Sequence, residues 1–178
     1  MFNSVGSDEK NCNKWYALYT KPRSEFKAAL QLASLDIQYY LPTIVKERKW
    51  SDRKKKITEP LLRGYIFIFA SEKERAISVE QDSIVRCIFD QGKPARIPDW
   101  QIQNLKKMLE YKYDYFTREG VVPGVKVRIK EGPFENVIGT VQGTDNDKTI
   151  AVTIQFLNRS VLAHLPRESV IEVLKDHE

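Results

Sequence analysis

The sequence predicts an α+β protein in two parts: an antiparallel sheet flanked by helices, followed by a small SH3-like β-barrel. Three observations support this fold class. Residues 65–69 are β-branched or aromatic at every position, as in a strand buried on both faces. Strand-like and helix-like segments are mixed before residue 112, which is typical of sheets covered by helices. From residue 121 onward, short segments of period-two hydrophobicity follow one another between tight turns.

The first part opens with a strand and a helix. Residues 15–20 are rich in strand formers. Pro22 suits the entry to a helix because its missing N–H would be unpaired there in any case. The helix is expected to end near Leu35, and its spacing predicts a core-facing stripe formed by Phe26, Ala29, Leu30 and Ala33.

A long β-hairpin and a second helix complete the first part. Residues 37–57 predict the hairpin, with a break at Pro42, since proline lacks the N–H that a central strand needs. Residues 84–89 predict one further strand. Pro98 then opens a helix whose apolar stripe consists of Ile102, Leu105, Met108 and Leu109.

Changes in sequence texture set the predicted domain boundaries. Residues 1–14 are interpreted as a flexible tail and residues 15–112 as the first domain. Residues 113–120 lack a clean period and are interpreted as a linker. Residues 121–178 are interpreted as the second domain, the small barrel.

Composition excludes several classes of protein. The chain has 178 residues, of which 42% are hydrophobic and 30% charged, as in a soluble globular protein. Its longest apolar run, residues 65–70, is too short to cross a bilayer, so no membrane partner is expected. Two cysteines do not make a disulfide framework, and the expected location is the cytoplasm.

No arrangement of residues predicts catalysis. Neither His164 nor His177 has a cysteine or carboxylate at ligand spacing, so no metal site and no cofactor are predicted. The sequence lacks the glycine motifs that bind phosphates or dinucleotides. The chain is therefore predicted not to be an enzyme.

The tip of the hairpin is the first candidate binding site. Basic residues crowd around Trp50 in a chain whose net charge is +5. Lysine and arginine neutralise phosphates and tryptophan stacks on unpaired bases, which indicates a nucleic-acid partner. A solvated charged turn explains the same composition. The basic residues are Lys46, Arg48, Lys49, Arg53, Lys54, Lys55 and Lys56.

A surplus of aromatic residues is the second candidate. They exceed what one small core needs, so some of them would line a groove that accepts a partner helix. The alternative is that all of them belong to the core. These residues are Tyr16, Tyr19, Tyr39, Tyr40, Tyr65, Phe67, Phe69 and Phe89.

Taken together, the motifs resemble the NusG family of transcription elongation factors. The resemblance runs over residues 15–173 and is carried by the order and spacing of short motifs. The first part has WY at 15–16, the Pro22 helix, PLLRGY at 60–65 and PARIP at 94–98. It resembles the NusG N-terminal (NGN) domain, which implies an NGN-like sheet with flanking helices.

The resemblance implies that this first domain binds RNA polymerase. The family docks through an apolar depression that receives the helices of the polymerase clamp. The positions that match this depression are Tyr19, Leu62, Tyr65 and Phe89. Residues 71–76 match a segment that touches the opposite side of the polymerase cleft in specialised members. Bridging the cleft would suppress pausing and promote antitermination.

A nucleic-acid contact is implied as well. Lys21, Arg23 and Lys27 match the face that meets the non-template DNA strand, and nascent RNA is a further candidate ligand. The chain looks closest to specialised paralogues such as RfaH and UpxY, which act at particular operons, and a monomer is expected. The alternative function is a KOW-type RNA-binding or ribosome-associated protein that uses the basic hairpin.

The second part resembles a KOW module, with GVKVRI at 124–129, GPF at 132–134 and GTV at 139–141. The resemblance implies a second partner, the termination factor Rho or a small-subunit ribosomal protein, bound at Phe156 and Leu157. In RfaH this domain can refold as a helical hairpin. The period-two alternation here predicts a constitutive β-barrel instead.

Overall fold

The structure is a computed structural model that describes residues 12–50, 53–144 and 147–174. The chain divides into two compact units, one ending at Ile97 and one beginning at Pro98. We call them the N-terminal unit and the C-terminal unit. Most of the predicted tail, residues 1–11, lies outside the described residues, and Lys14 already belongs to the first strand.

The N-terminal unit mixes strands and helices, as predicted. In chain order, its elements are β1 (Lys14–Thr20), α1 (Glu25–Ser34), β2 (Gln38–Tyr40), β3 (Thr43–Trp50), β4 (Arg53–Pro60), β5 (Tyr65–Ala70), α2 (Glu72–Val79), β6 (Ile84–Cys87), β7 (Phe89–Asp90) and β8 (Lys93–Pro94).

Four of these strands form an antiparallel sheet in the order β2–β5–β1–β6. The face toward α1 is mostly aliphatic: Leu18, Ile66 and Ile68 are fully buried and pack with Leu32 of the helix. Phe67, on the opposite face of β5, is also fully buried. The prediction that residues 65–69 form a strand buried on both faces is therefore confirmed at its centre.

Helix α1 buries a different face from the predicted one. The predicted stripe was wrong at Phe26, Leu30 and Ala33, which are exposed. A buried acid explains the difference, because the Glu25 carboxylate turns inward and accepts a hydrogen bond from the Gly64 N–H at 2.8 Å. The residues of α1 that face the core are Glu25, Ala28, Ala29 and Leu32.

The predicted basic hairpin is confirmed as the two-stranded sheet β3–β4. Its register runs from the pair Thr43 and Pro60 to the pair Trp50 and Arg53. Pro42 lies between β2 and β3, where the break was predicted. The tip itself, residues 51–52, lies outside the described residues.

In the residues that the structure describes, the C-terminal unit has one α-helix, a single 3-10 turn and a six-stranded antiparallel sheet of order β14–β10–β11–β12–β13–β9. The predicted alternation is confirmed in β10, where Val127 and Ile129 are buried and Lys126 and Lys130 are exposed. The KOW assignment of this unit stays a prediction. The elements are α3 (Asp99–Leu109), β9 (Tyr115–Glu119), β10 (Val125–Glu131), β11 (Ile138–Thr144), β12 (Asp147–Ile154), β13 (Arg159–His164) and β14 (Val170–Val173).

The segment expected to be a linker, residues 113–120, contains a strand. β9 pairs with β13, and the chain divides before α3 instead. Two buried amides tie α3 to its own unit: Asn104 Oδ1 accepts a hydrogen bond from the Ile138 N–H at 3.2 Å, and Gln101 Nε2 donates to Gln155 Oε1 at 3.3 Å. In a sequence such amides resemble surface residues, so this attachment was not predicted.

Candidate functional site

One face of the N-terminal sheet is made of aromatic residues. The register sets Trp15 opposite Phe69, Tyr19 opposite Tyr65, and Tyr40 opposite Phe67. Because side chains alternate along a strand, these residues point away from the α1-facing side. We call this set the aromatic face: Trp15, Tyr19, Tyr40, Tyr65, Phe67 and Phe69.

The rings of the aromatic face pack in pairs. The ring centroids of Trp15 and Phe69 lie 5.3 Å apart, and those of Tyr19 and Tyr65 lie 5.5 Å apart in an edge-on arrangement. Both separations are favourable for aromatic pairs. Trp15 is buried, whereas Tyr19, Tyr65 and Phe69 are only half-buried. The aromatic face therefore contains both buried and partly exposed rings.

The four residues predicted to bind RNA polymerase differ in exposure. Tyr19 and Tyr65 are in ring contact. Leu62 is 2% exposed, so its side chain belongs to the core. Phe89 is 56% exposed and lies on β7, which pairs with β8 in a separate two-stranded sheet. Tyr19 and Tyr65 are the pair that the structure brings together.

A glycine turn holds Tyr19 and Tyr65 in place. Gly64 has φ +81°, a left-handed conformation that glycine adopts without strain. A Cβ atom at this position would lie 3.1 Å from Cε2 of Tyr19. The Gly64 N–H donates to the carboxylate of Glu25, and its carbonyl accepts from the Thr20 N–H at 2.9 Å. Sequence reasoning missed Glu25, since an acid in a first helical turn normally faces solvent.

An arginine, Arg86, lies beside the Tyr19 end of the aromatic face. Arg86 is opposite Tyr19 in the register, and its guanidinium carbon lies 6.0 Å from the Tyr19 ring centroid. Arg63 is exposed and forms an ion pair with Glu59 at 3.3 Å. Only the strand register identifies Arg86, which the sequence pattern did not single out. Arg86 thus places a positive charge at this edge of the face.

Lys21, Arg23 and Lys27 are all exposed near the start of α1, and we call them the α1 basic cluster. Lys21 Nζ lies 3.1 Å from Asp82 Oδ1, and Lys27 Nζ lies 2.5 Å from Asp82 Oδ2. Hydrogen bonds from Lys27 and then from Lys21 lower the pKa of the Asp82 carboxyl to about 2. Sequence reasoning missed Asp82, because it is 55 residues from Lys27 along the chain.

The hairpin holds most of the excess charge of the chain. Residues 43–60 contain seven lysines and arginines and three acids, a net charge of +4 in a chain of net charge +5. Lys54, Lys55 and Lys56 are exposed, and Lys54 Nζ lies 4.0 Å from Glu47 Oε2. The side chain of Arg53 is outside the described part of the structure.

The residues predicted to bind a second partner differ in exposure. Gln155–Leu157 form a single turn of 3-10 helix between β12 and β13. Phe156 is 36% exposed, whereas Leu157 is 6% exposed and packs inside. Asn158 ends the turn in a left-handed conformation, with φ 49°. Phe156 is thus the accessible member of the predicted pair.

Within residues 12–50, 53–144 and 147–174, no group of three His, Cys, Asp or Glu side chains is arranged to hold a metal ion. Among the same described residues, no helix is long and apolar enough to cross a membrane.

Comparison with known proteins identifies the family. The model of the family described as transcription termination factor nusG matches residues 13–106, more than half of the chain. A solved structure described as "Domain interaction in Thermotoga maritima NusG" aligns with a TM-score of 0.49 and 19% identity, covering 92% of this chain and 98% of that chain. No curated protein matches the chain significantly. On the match to residues 13–106, which contain the aromatic face, the chain belongs to the NusG family of transcription factors.

Proposed function

We propose that the protein is a transcription elongation factor that binds the clamp helices of RNA polymerase through its aromatic face. NusG-family factors are non-enzymatic regulators that act with RNA polymerase. The half-buried pair of Tyr19 and Tyr65 carries the proposal. A partner that covered these rings would remove their remaining apolar surface from water, and tyrosines of this kind often dominate binding energy.

The chemistry around the pair favours a particular kind of helix. Helices dock on apolar surfaces through residues at spacings of three and four. Arg86 places a positive charge beside Tyr19. A partner helix with acidic residues beside its apolar stripe complements this arrangement, because opposite charges at the rim speed association and select the partner.

Contact with the second side of the polymerase cleft would come from the start of α2. Ser71 and Glu74 form a capping box, in which the Ser71 N–H donates to the Glu74 carboxylate at 2.7 Å. Lys73 and Ala76 are exposed on the same turn and accessible to a partner. Contact at both sides would hold the clamp closed, suppress pausing and promote antitermination at particular operons, as in paralogues of the RfaH and UpxY type.

The test is the affinity of the full chain for core RNA polymerase. We expect Tyr65→Ala to weaken binding at least tenfold, the effect of losing one hot-spot aromatic. Tyr39→Ala is the matched control, because Tyr39 is an exposed tyrosine of the same sheet that pairs with Ile68 and so lies on the other face. Equal affinity of the wild type and a folded Tyr65→Ala variant would exclude docking through this face.

A second candidate function is RNA binding through the hairpin, and the charge of residues 43–60 favours it. Substituting Lys54, Lys55 and Lys56 with Gln should then lower RNA affinity and flatten its salt dependence by roughly 0.7 in log–log slope for each lost contact. The same change at the exposed Lys93, Lys107 and Lys112 controls for net charge. Equal losses in both triple variants would contradict a hairpin site.

The C-terminal unit would bind the second partner, Rho or a small-subunit ribosomal protein, around Phe156. An exposed aromatic on a tight turn is suited to insertion into a partner pocket, whereas Leu157 supports the turn from inside. Phe156→Ala should weaken capture of that partner and leave polymerase affinity unchanged. Parallel pull-downs with Rho and with ribosomal subunits would identify the partner.

A further inference from the structure

We infer that Asp82 limits the affinity of the α1 basic cluster for the phosphodiester backbone of a single-stranded nucleic acid. The inference rests on the proposed function and on the contact with the non-template strand that the family resemblance implies for Lys21, Arg23 and Lys27. It concerns Asp82, an acidic residue that opposes this contact. It assigns a role to the ion pairs that Asp82 forms with Lys21 and Lys27.

Asp82 occupies both ammonium groups of the cluster at once. One carboxylate oxygen lies 3.1 Å from Lys21 Nζ and the other lies 2.5 Å from Lys27 Nζ. The side chains remain accessible, with 53% of Lys21, 58% of Lys27 and 66% of Asp82 exposed. An incoming phosphate therefore reaches two amines that already have a counter-charge, and it has to compete with that charge.

The backbone holds Asp82 in this position. The carbonyl of the next residue, Ser83, accepts a hydrogen bond from the Lys21 N–H at 2.9 Å. The Ser83 N–H donates to Gln31 Oε1 of α1 at 3.2 Å, and the Ser83 hydroxyl bonds to the same oxygen. The residue after Asp82 is thus tied to both elements that supply the lysines. The fold therefore holds the backbone next to Asp82 close to both lysines.

The size of the effect follows from charge. Lys21, Arg23 and Lys27 together with Asp82 have a net charge of +2, and removing the carboxylate charge raises it to +3. One unit charge about 6 Å from a phosphate in water changes affinity roughly threefold. Each ammonium freed for phosphate contact steepens the logarithmic salt dependence by roughly 0.7 for a single strand.

The experiment compares Asp82→Asn with Glu80→Gln in the full chain. Glu80 is exposed two residues away, so its variant has the same net charge without touching the cluster. Fluorescence anisotropy with short oligo(dT) and oligo(U) probes gives affinity at low and at physiological salt. We expect Asp82→Asn to bind about threefold more tightly at low salt, with a steeper salt dependence, and Glu80→Gln to match the wild type. The probe with the larger gain identifies the strand, DNA or RNA.

A background variant with Lys54, Lys55 and Lys56 changed to Gln separates the cluster from the hairpin. The gain from Asp82→Asn should persist in this background. An equal gain from Glu80→Gln, a weaker Asp82→Asn variant, or a gain that disappears with the hairpin lysines would overturn the inference. Polymerase affinity is measured on the same samples. If polymerase binding is unchanged and Asp82→Asn shows no gain in oligonucleotide affinity, only the role of Asp82 is excluded. If the gain is present but the chain does not bind polymerase, only the docking proposal is excluded.

Discussion

The two faces of the N-terminal sheet are built from the same strands but have different chemistry. Even-numbered residues of β1 and β5, such as Leu18 and Ile66, face α1 and are sealed. Odd-numbered residues form the aromatic face, on which Tyr19 and Tyr65 are half-buried. Sealed aliphatic groups contribute to folding, whereas half-buried aromatic groups retain surface for a partner. Neighbouring positions in one strand are therefore expected to govern different properties.

The largest expected effect is on the sealed face. Ile66→Ala should lower the free energy of unfolding by about 2–5 kcal/mol, because it removes a fully buried side chain and leaves a cavity. Tyr65→Ala, one residue away and half-buried, should cost much less stability and much more polymerase affinity. Urea unfolding and polymerase binding measured on both variants check this separation. Equal stability losses would contradict the comparison of the two faces.

Sequence reasoning reached the strands but not the contacts between them. Period-two alternation and the apolar run at residues 65–69 were enough to predict β5. The pairing of Tyr19 with Tyr65 and Arg86 depends on strand register, which a single sequence does not encode locally. Tertiary contacts likewise determine that the Leu62 side chain is buried, because the local sequence of a turn does not decide whether a leucine is buried or exposed.

Buried polar residues account for the other differences. Glu25 faces the core because the Gly64 N–H needs an acceptor there, and this need appears only once the turn is folded. Gln101 and Asn104 of α3 follow the same logic in the C-terminal unit. Hydrophobic periodicity alone predicts that Glu25, Gln101 and Asn104 lie on the surface. The sequence therefore predicted elements well and predicted the polar attachments between elements poorly.

The turn at Gly64 contacts both faces, because its N–H bonds to Glu25 of α1 and its Cα position lies next to the Tyr19 ring. A substitution at Gly64 therefore tests both faces. Gly64→Ala should cost about 1–2 kcal/mol of stability for the left-handed backbone. It should also weaken polymerase binding, because the new methyl group displaces the Tyr19 ring. Gly92→Ala is the matched control: Gly92 has φ +77°, and a Cβ atom there meets nothing within 4 Å. If both variants bound polymerase equally well, the Tyr19 ring would have no part in docking.

A smaller effect is expected from Arg86. Arg86→Gln should change the free energy of unfolding by no more than about 0.5 kcal/mol, since the side chain is exposed. At low salt, the variant should bind polymerase a few-fold more weakly than the wild type. At high salt the two affinities should converge, because salt screens charges at the rim of an interface. Lys112→Gln, an exposed change in the C-terminal unit, controls for net charge. A salt-independent loss would show that Arg86 acts through packing on Tyr19.

The smallest effect concerns Tyr16, a polar residue on the sealed face. Burial raises the pKa of the Tyr16 phenol above its ordinary value of about 10, and the anionic Glu72 contributes a smaller increase. A raised folded-state pKa contributes stability that is complete below the unfolded pKa and is lost as pH rises through the folded one. The stability of the wild type should therefore fall more steeply above about pH 10 than that of Tyr16→Phe, which lacks the ionisable group. Urea unfolding across this range measures the difference, and subtracting the variant removes the titration of the other tyrosines. Parallel curves would mean that the phenol is hydrated in the folded state, so that the α1-facing side would not be sealed at Tyr16.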